Sequence, residues 1–225
     1  MLFRSKFLTD YQNAPYAQRY RALVDRVRAA EGALGKGQRL TQAVARYYAK
    51  LLAIKDEYEV ARLYTDGRFE AAMKDQFENW ESLSFHLAPP LISKPGADGR
   101  AKKIEMGSWM FTAFKWLAKL KGLRGGALDI FGKTEERRME RQLIADYEAL
   151  VADILASLTA DNLNTAVELA RLPEKIRGYG HVKHANVVAV KKQWQALLDR
   201  FHGRTVEVVA QPVAMPVRVK GVAEL

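Results

Sequence analysis

The stretch Arg39-Leu-Thr-Gln-Ala-Val-Ala-Arg-Tyr-Tyr-Ala-Lys-Leu-Leu-Ala-Ile-Lys-Asp-Glu-Tyr-Glu-Val-Ala-Arg-Leu-Tyr-Thr-Asp66 decides the fold class. Its apolar residues Leu40, Val44, Tyr47, Leu51, Ile54, Tyr58 and Ala61 recur at intervals of four and three, the spacing that holds one stripe on one side of a helix. The spacing predicts a single helix over 39–66, about 40 Å long, stopped by Asp66-Gly67. A helix carrying one long apolar stripe needs helical neighbours to cover it, so the expected architecture is mainly α.

Working outward, the seven prolines leave 16–88 and 96–172 free of proline, and both stretches read as helical. A helix is expected from Pro15, a residue suited to a first helical turn, through Tyr20, Leu23, Val24 and Val27 to the glycines at 32, 35 and 37. Phe69, Met73 and Phe77 allow a short helix over 68–78. Leu83, Phe85 and Leu87 alternate with Ser82, Ser84 and His86 as a half-buried strand does, and 102–106 returns as its partner across the Pro95–Gly99 turn. Further on, Thr134 followed by Glu135 and Glu136 is an N-cap with an acidic first turn, opening a long helix to about Leu158. A helix from Thr159 to Leu172, a turn at Pro173, and a last helix carrying Val187, Val190, Trp194, Leu197 and Phe201 complete the pattern. The expectation is a multi-helix bundle with a small β-hairpin-like insertion near 81–106, one helical domain over 1–203 and an extended tail over 204–225.

Composition narrows the chemistry. A chain of 225 residues without cysteine holds no Cys-ligated iron–sulfur cluster, no Cys-type zinc site, no disulfide and no thiol nucleophile. No uncharged apolar run approaches the roughly 20 residues that span a bilayer. The first residues, with Arg4 and Lys6 inside a short apolar stretch, do not have the form of a secretory signal. A cytoplasmic protein without a membrane partner is the expectation. No Walker, Rossmann or nucleophile-elbow motif stands in the chain, and His181 and His184 lack a third ligand of the HExxH kind. No catalytic residue and no metal ligand is therefore assigned.

Two features point to binding. The helix expected over 108–121 is apolar around most of its circumference, so Trp109, Phe111, Phe114 and Trp116 are interface candidates: the helix is buried on nearly all sides or completed by a partner. The second is Arg177-Gly178-Tyr179-Gly180-His181-Val182-Lys183, where glycines open a helix beside cations. Arg177, Gly178, Gly180, His181 and Lys183 are candidates for an anion site, although the same residues also serve as a plain connecting turn. The net charge of +10 is concentrated: residues 100–141 hold eleven Lys and Arg against five Asp and Glu, six of the ten excess charges. A basic surface of that kind meets phosphate or an acidic protein face.

Several phrases carry a family likeness. Phe7-Leu-Thr-Asp-Tyr-Gln-Asn13, Tyr48 to Gly67, Phe85-His-Leu-Ala-Pro-Pro-Leu91, Leu120-Lys-Gly-Leu-Arg-Gly125, Arg137-Arg-Met-Glu-Arg141 and Ile176-Arg-Gly-Tyr-Gly-His-Val-Lys183 resemble, in order across about 7–202, the C-terminal domain of the bacterial fused indolepyruvate ferredoxin oxidoreductases. The resemblance implies an oxidoreductase that uses thiamine diphosphate, Mg²⁺ and iron–sulfur clusters to decarboxylate aryl 2-oxoacids, passing electrons to ferredoxin and the acyl group to coenzyme A. Those cofactors are implied for other domains: this chain has neither the thiamine-binding Gly-Asp-Gly…Asn pattern nor a cysteine. The expectation is a non-catalytic accessory or assembly domain whose partners are the remaining domains or subunits of that enzyme. The alternative is a free-standing basic helical module for nucleic acid or phosphate, with nucleic acid the less favoured partner.

Overall fold

A computed structural model describes residues 1–78, 82–87 and 103–204. Among them the chain is mainly helical, with one two-stranded antiparallel sheet, as the periodicity predicts. The elements are α1 (Leu2–Tyr11), α2 (Ala14–Ala33), α3 (Arg39–Leu52), α4 (Glu57–Thr65), α5 (Arg68–Gln76), β1 (Phe85–Leu87), β2 (Ile104–Met106), α6 (Trp109–Lys119), α7 (Glu135–Ser157), α8 (Leu163–Arg171) and α9 (Gly180–Phe201). Short 3-10 turns follow α6 at Leu120–Leu123 and α8 at Leu172–Lys175. The connection expected over Pro89–Pro90 and Pro95–Gly99, and the tail from 205 onward, lie outside the described residues.

The largest core is built on α3, which packs against α1, α2, α7 and α8. Leu40, Val44, Tyr47, Tyr48 and Leu52 of α3 are buried against Tyr20 and Val24 of α2, Tyr147, Leu150 and Ile154 of α7, and Leu169 of α8. Tyr20, Tyr48 and Tyr147 form a stacked column with 6.0 Å between successive ring centroids. Their hydroxyls are satisfied: Tyr20 donates to the Ala45 carbonyl at 3.0 Å, Tyr147 to that of Ala170 at 2.9 Å, and Tyr48 to the Glu148 carboxylate. Buried phenols with partners keep the hydrophobic gain of the ring without the cost of a stranded polar atom. Glu31, only 1% exposed, is held the same way, accepting the Leu40 and Thr41 amides at 2.8 Å each and the Thr41 hydroxyl at 2.7 Å. It caps α3 from the neighbouring helix, where Gln38 offers no side-chain cap.

The single helix expected over 39–66 is two. Between Leu52 and Glu57 the chain leaves helical geometry, with Ala53 at φ −91°, ψ 71°. Asp56 then opens α4 as its N-cap, accepting the Glu59 amide at 2.8 Å. The carbonyls released by the break are satisfied from other elements: Tyr16 Oη donates to Leu52 O at 3.0 Å and Arg137 Nη2 to Lys55 O at 3.0 Å. The apolar spacing continues across the break, but Leu40 to Leu52 serve the bundle while Ala61 serves a second, smaller core with Phe85 and Phe114. Asp56-x-x-Glu59 is the sequence signal for a helix start that competes with the stripe.

The smaller core lies among α4, α6 and the sheet. The strands pair Phe85 with Met106, His86 with Glu105 and Leu87 with Ile104. Tyr64 stacks on Phe114 at 5.2 Å between centroids, and Phe85 meets both rings edge-on. Elsewhere the expected starts and stops hold closely, with Thr134 capping α7 through the Arg137 amide. Two differ. Residues Leu2–Tyr11 form α1, buried through Ser5, Leu8 and Tyr11. The helix expected from Thr159 begins at Leu163, because Thr159 and Asn162 bond each other reciprocally in a turn, at 2.8 and 3.3 Å.

Candidate functional site

The four interface candidates do not share one environment. Phe114 is buried in the smaller core and Phe111 is half-buried, while Trp109 and Trp116 are 62% and 66% exposed. Of the two alternatives expected for this helix, burial on nearly all sides is not the one observed: only Phe114 of α6 is buried. The reason is area, since one face of an 11-residue helix suffices to close a core of three buried residues. Trp109, Thr112, Trp116 and Leu120 follow one another at three and four residues and form an exposed stripe. Lysines edge it, with Lys119 Nζ 4.8 Å from the Trp116 ring centre and Lys115 Nζ 4.6 Å from that of Phe111. Beside the stripe, Phe69, Met73, Leu83 and Phe111 line an apolar hollow of about 200 Å³ between α5 and the start of α6.

Two clefts flank the break between α3 and α4. The larger, about 350 Å³, is lined by Tyr11, Tyr16, Tyr58 and Phe131, with Arg124, Asp56 and Asp129. Arg19, Arg137 and Arg141 line it as well, and both lining carboxylates are satisfied. Arg124 forms a two-pronged pair with Asp56, at 2.5 and 3.0 Å, donates to the Tyr11 carbonyl at 2.9 Å, and lies 3.9 Å above the Tyr11 ring. Asp129 accepts the Gly125 and Gly132 amides at 2.7 and 2.9 Å and the Tyr58 hydroxyl at 3.2 Å. The glycine-rich loop ahead of α7 thus closes around a carboxylate of its own, and a side chain at Gly132 would collide with it. Burial, with Asp129 alongside, pushes the Tyr58 phenol up to about 12.

The smaller cleft, about 280 Å³, lies between the 53–56 break, α7 and the turn into α9. It gathers three of the five anion candidates, Arg177, Gly178 and Lys183, with Lys50, Lys55 and Arg137. Lys183 pairs with Glu140, which also accepts Arg137 Nη1 at 2.6 Å. Gly178 adopts φ +85°, the left-handed conformation that the turn requires. Gly180 and His181 stand apart from the cleft: the Gly180 amide donates to Glu136 Oε1 at 3.2 Å, and His181 is exposed. Sequence reasoning missed the α3–α4 wall of this cleft, because Lys50 and Lys55 lie more than a hundred residues from the turn they face.

The basic excess of 100–141 is partly spent inside the fold. Arg124 and Arg137 are engaged as described, and Lys121 Nζ donates to Asp10 O at 2.5 Å. Arg100 and Lys102 lie outside the described residues. Among the described residues no three His, Asp or Glu side chains converge as a metal site, and no helix is long and apolar enough to cross a membrane.

Residues 2–196 match the model of a family of unknown function, DUF6537. No curated protein and no solved structure matches the chain.

Proposed function

We propose that this chain, which belongs to the DUF6537 family, is a non-catalytic accessory and assembly domain of a cytoplasmic aryl 2-oxoacid:ferredoxin oxidoreductase, docked on its partner by the tryptophan stripe of α6. The observation that carries the docking is that stripe. Trp109, Trp116 and Leu120 are exposed together on one helix face. Large aromatics exposed together are the residues that dominate binding when a partner covers them. The assignment to the 2-oxoacid oxidoreductases rests on the likeness over about 7–202. Thiamine diphosphate, Mg²⁺ and the iron–sulfur clusters would be held by other domains, which would carry out the oxidative decarboxylation to acyl-coenzyme A.

The test is capture of the thiamine- and cluster-bearing remainder of such an enzyme by this chain. The wild-type chain is expected to bind it, and Trp109→Ser with Trp116→Ser is expected to weaken binding at least tenfold, a loss of about 1.4 kcal/mol or more. The same pair should leave thermal stability nearly unchanged, because both rings are already in water. Failure of the wild-type chain to bind, or full-strength binding by the double variant, overturns the reading.

A further inference from the structure

The two clefts beside the α3–α4 break differ in how their charges are matched. In the larger, each lining arginine is engaged, Arg124 with Asp56, Arg19 with Glu148, Arg137 with Glu140 and Arg141 with the Gly132 carbonyl, and Asp129 is closed by amides and a phenol. In the smaller, Lys50, Lys55, Arg137, Arg177 and Lys183 face one another across about 280 Å³ with a single lining carboxylate among the described residues, Glu140. The nearby acids offset this only in part: Glu57 makes a second ion pair with Arg137 at 3.9 Å, and Glu174, beside Lys50, accepts the Tyr47 hydroxyl at 2.6 Å and Arg171 at 3.3 Å. Lys50 spends its protons on the carbonyls of Pro173 and Ile176, at 2.7 and 2.8 Å, and pairs with no carboxylate among the described residues. Burial chiefly, and then Arg177 and Lys183, lower its pKa, with Glu174 pulling the other way. On one wall Lys55 Nζ, and on the other the two terminal nitrogens of Arg177, make no hydrogen bond or ion pair among the described residues; Arg177 uses only Nε, toward Glu174 O at 3.1 Å.

A cleft that collects five cations, pairs Arg137 and Lys183 with Glu140 and Arg137 also with Glu57, and leaves a guanidinium fork and an ammonium without partners among the described residues is short of negative charge. We infer that it binds a multiply charged phosphate anion, with Arg177 and Lys55 as direct ligands and Lys50 and Lys183 supplying the field that holds it. A phosphate suits the arrangement better than a carboxylate. Its tetrahedral oxygens accept from a guanidinium fork and an ammonium at once, and its second charge answers an excess that one carboxylate leaves standing. The start of α9 is not the ligand site, because Glu136 already accepts its Gly180 amide. The inference stands independently of docking through α6, which is a different surface.

The experiment is calorimetric titration of the full chain at low ionic strength with inorganic phosphate, diphosphate and ADP, each against sodium chloride of matched ionic strength. Diphosphate is expected to bind at one site, more tightly than phosphate, and to raise the melting temperature where sodium chloride does not. Arg177→Gln and Lys55→Gln are each expected to weaken it about tenfold, and Lys192→Gln, an exposed change on α9 outside the cleft, to leave it unaltered. Both cleft positions are exposed, so circular dichroism of the variants is expected to match the wild type. ADP binding more tightly than diphosphate supports a site for the phosphate end of a larger ligand, and ADP binding no more tightly supports a site for the free anion. Absence of binding beyond the sodium chloride control, or undiminished binding by the Arg177→Gln, Lys55→Gln double variant, overturns the inference. The Trp109→Ser, Trp116→Ser protein is expected to bind diphosphate normally, so failure of one idea is separable from failure of the other.

Discussion

Around α3, among the described residues, twenty-nine buried apolar residues from six helices, a 3-10 turn and a loop close on one another; around α4 and α6, three do. Both regions use the same vocabulary of aromatic and aliphatic side chains. In the bundle each helix is covered on its apolar side by two or more others, whereas α6 is covered on one side by α4 and the sheet and shows two tryptophans on the other. The difference shows that apolar content alone does not bury a helix: burial follows from how many partners the topology brings to it. A helix with more apolar surface than its own chain covers is the place where a second protein gains most by binding.

Arg124 joins the two regions. It stands on the loop after α6, pairs with Asp56 at the head of α4 and packs on Tyr11 of α1. The comparison can be broken at several points, and the largest effect is expected from alkali. Burial raises the phenols of Tyr11, Tyr48 and Tyr147 well above the ordinary tyrosine value and that of Tyr16 to about 12. A folded-state pKa above the unfolded one contributes stability that is present below about pH 10 and lost as pH rises toward the folded value. By pH 11 each such group costs about 1 kcal/mol, so the bundle should lose several kcal/mol between pH 9 and 11. Urea unfolding at the two pH values, with tyrosinate absorbance followed alongside, checks it; an unchanged midpoint would contradict the packing described for these rings.

Next in size is Arg124→Met. It strands the Asp56 carboxylate, only 5% exposed, and should cost about 4 kcal/mol. Because the strut between the regions is then gone, unfolding followed by near-ultraviolet circular dichroism is expected to separate into two transitions, the smaller region melting first. Ile154→Ala, in the middle of the bundle at 1% exposure, should cost about 3 kcal/mol and lower one global transition. Phe114→Ala should cost less, about 2 kcal/mol, because a small core with an open side collapses more readily into the space. Hydrogen exchange would sharpen the contrast. Ile154→Ala is expected to lower protection throughout α2, α3, α7 and α8, and Phe114→Ala only in α4 and α6. Equal loss of protection everywhere for both variants would make the two regions a single cooperative unit.

Much of this fold was legible from local chemistry. Pro15 opens α2 because its fixed φ suits a first turn, and Thr134 starts α7 because a side-chain oxygen reaching an amide three residues on is a local event. The break at 53–56 was not, because the apolar spacing runs through it and the residues that repay its freed carbonyls, Tyr16 and Arg137, are remote in the chain. The anion candidates divide in the same way. Arg177, Gly178 and Lys183 are neighbours in sequence and share the cleft, yet Glu136 and Glu140 of α7 decide which of the local donors remain open.

The sequence by itself determined the helical class, most helix ends, the hairpin strands and the absence of thiol chemistry, since all of these follow from composition or from residues within a turn or two of one another. Tertiary structure alone decided that Arg124 is a buried strut, that Asp129 fills its own glycine loop, and that Trp109 and Trp116 face water while Phe114 does not. The physical reason is range. A cap or a stripe is written in neighbouring residues, whereas the partner of a charge or the cover of a ring comes from wherever packing carries the rest of the chain.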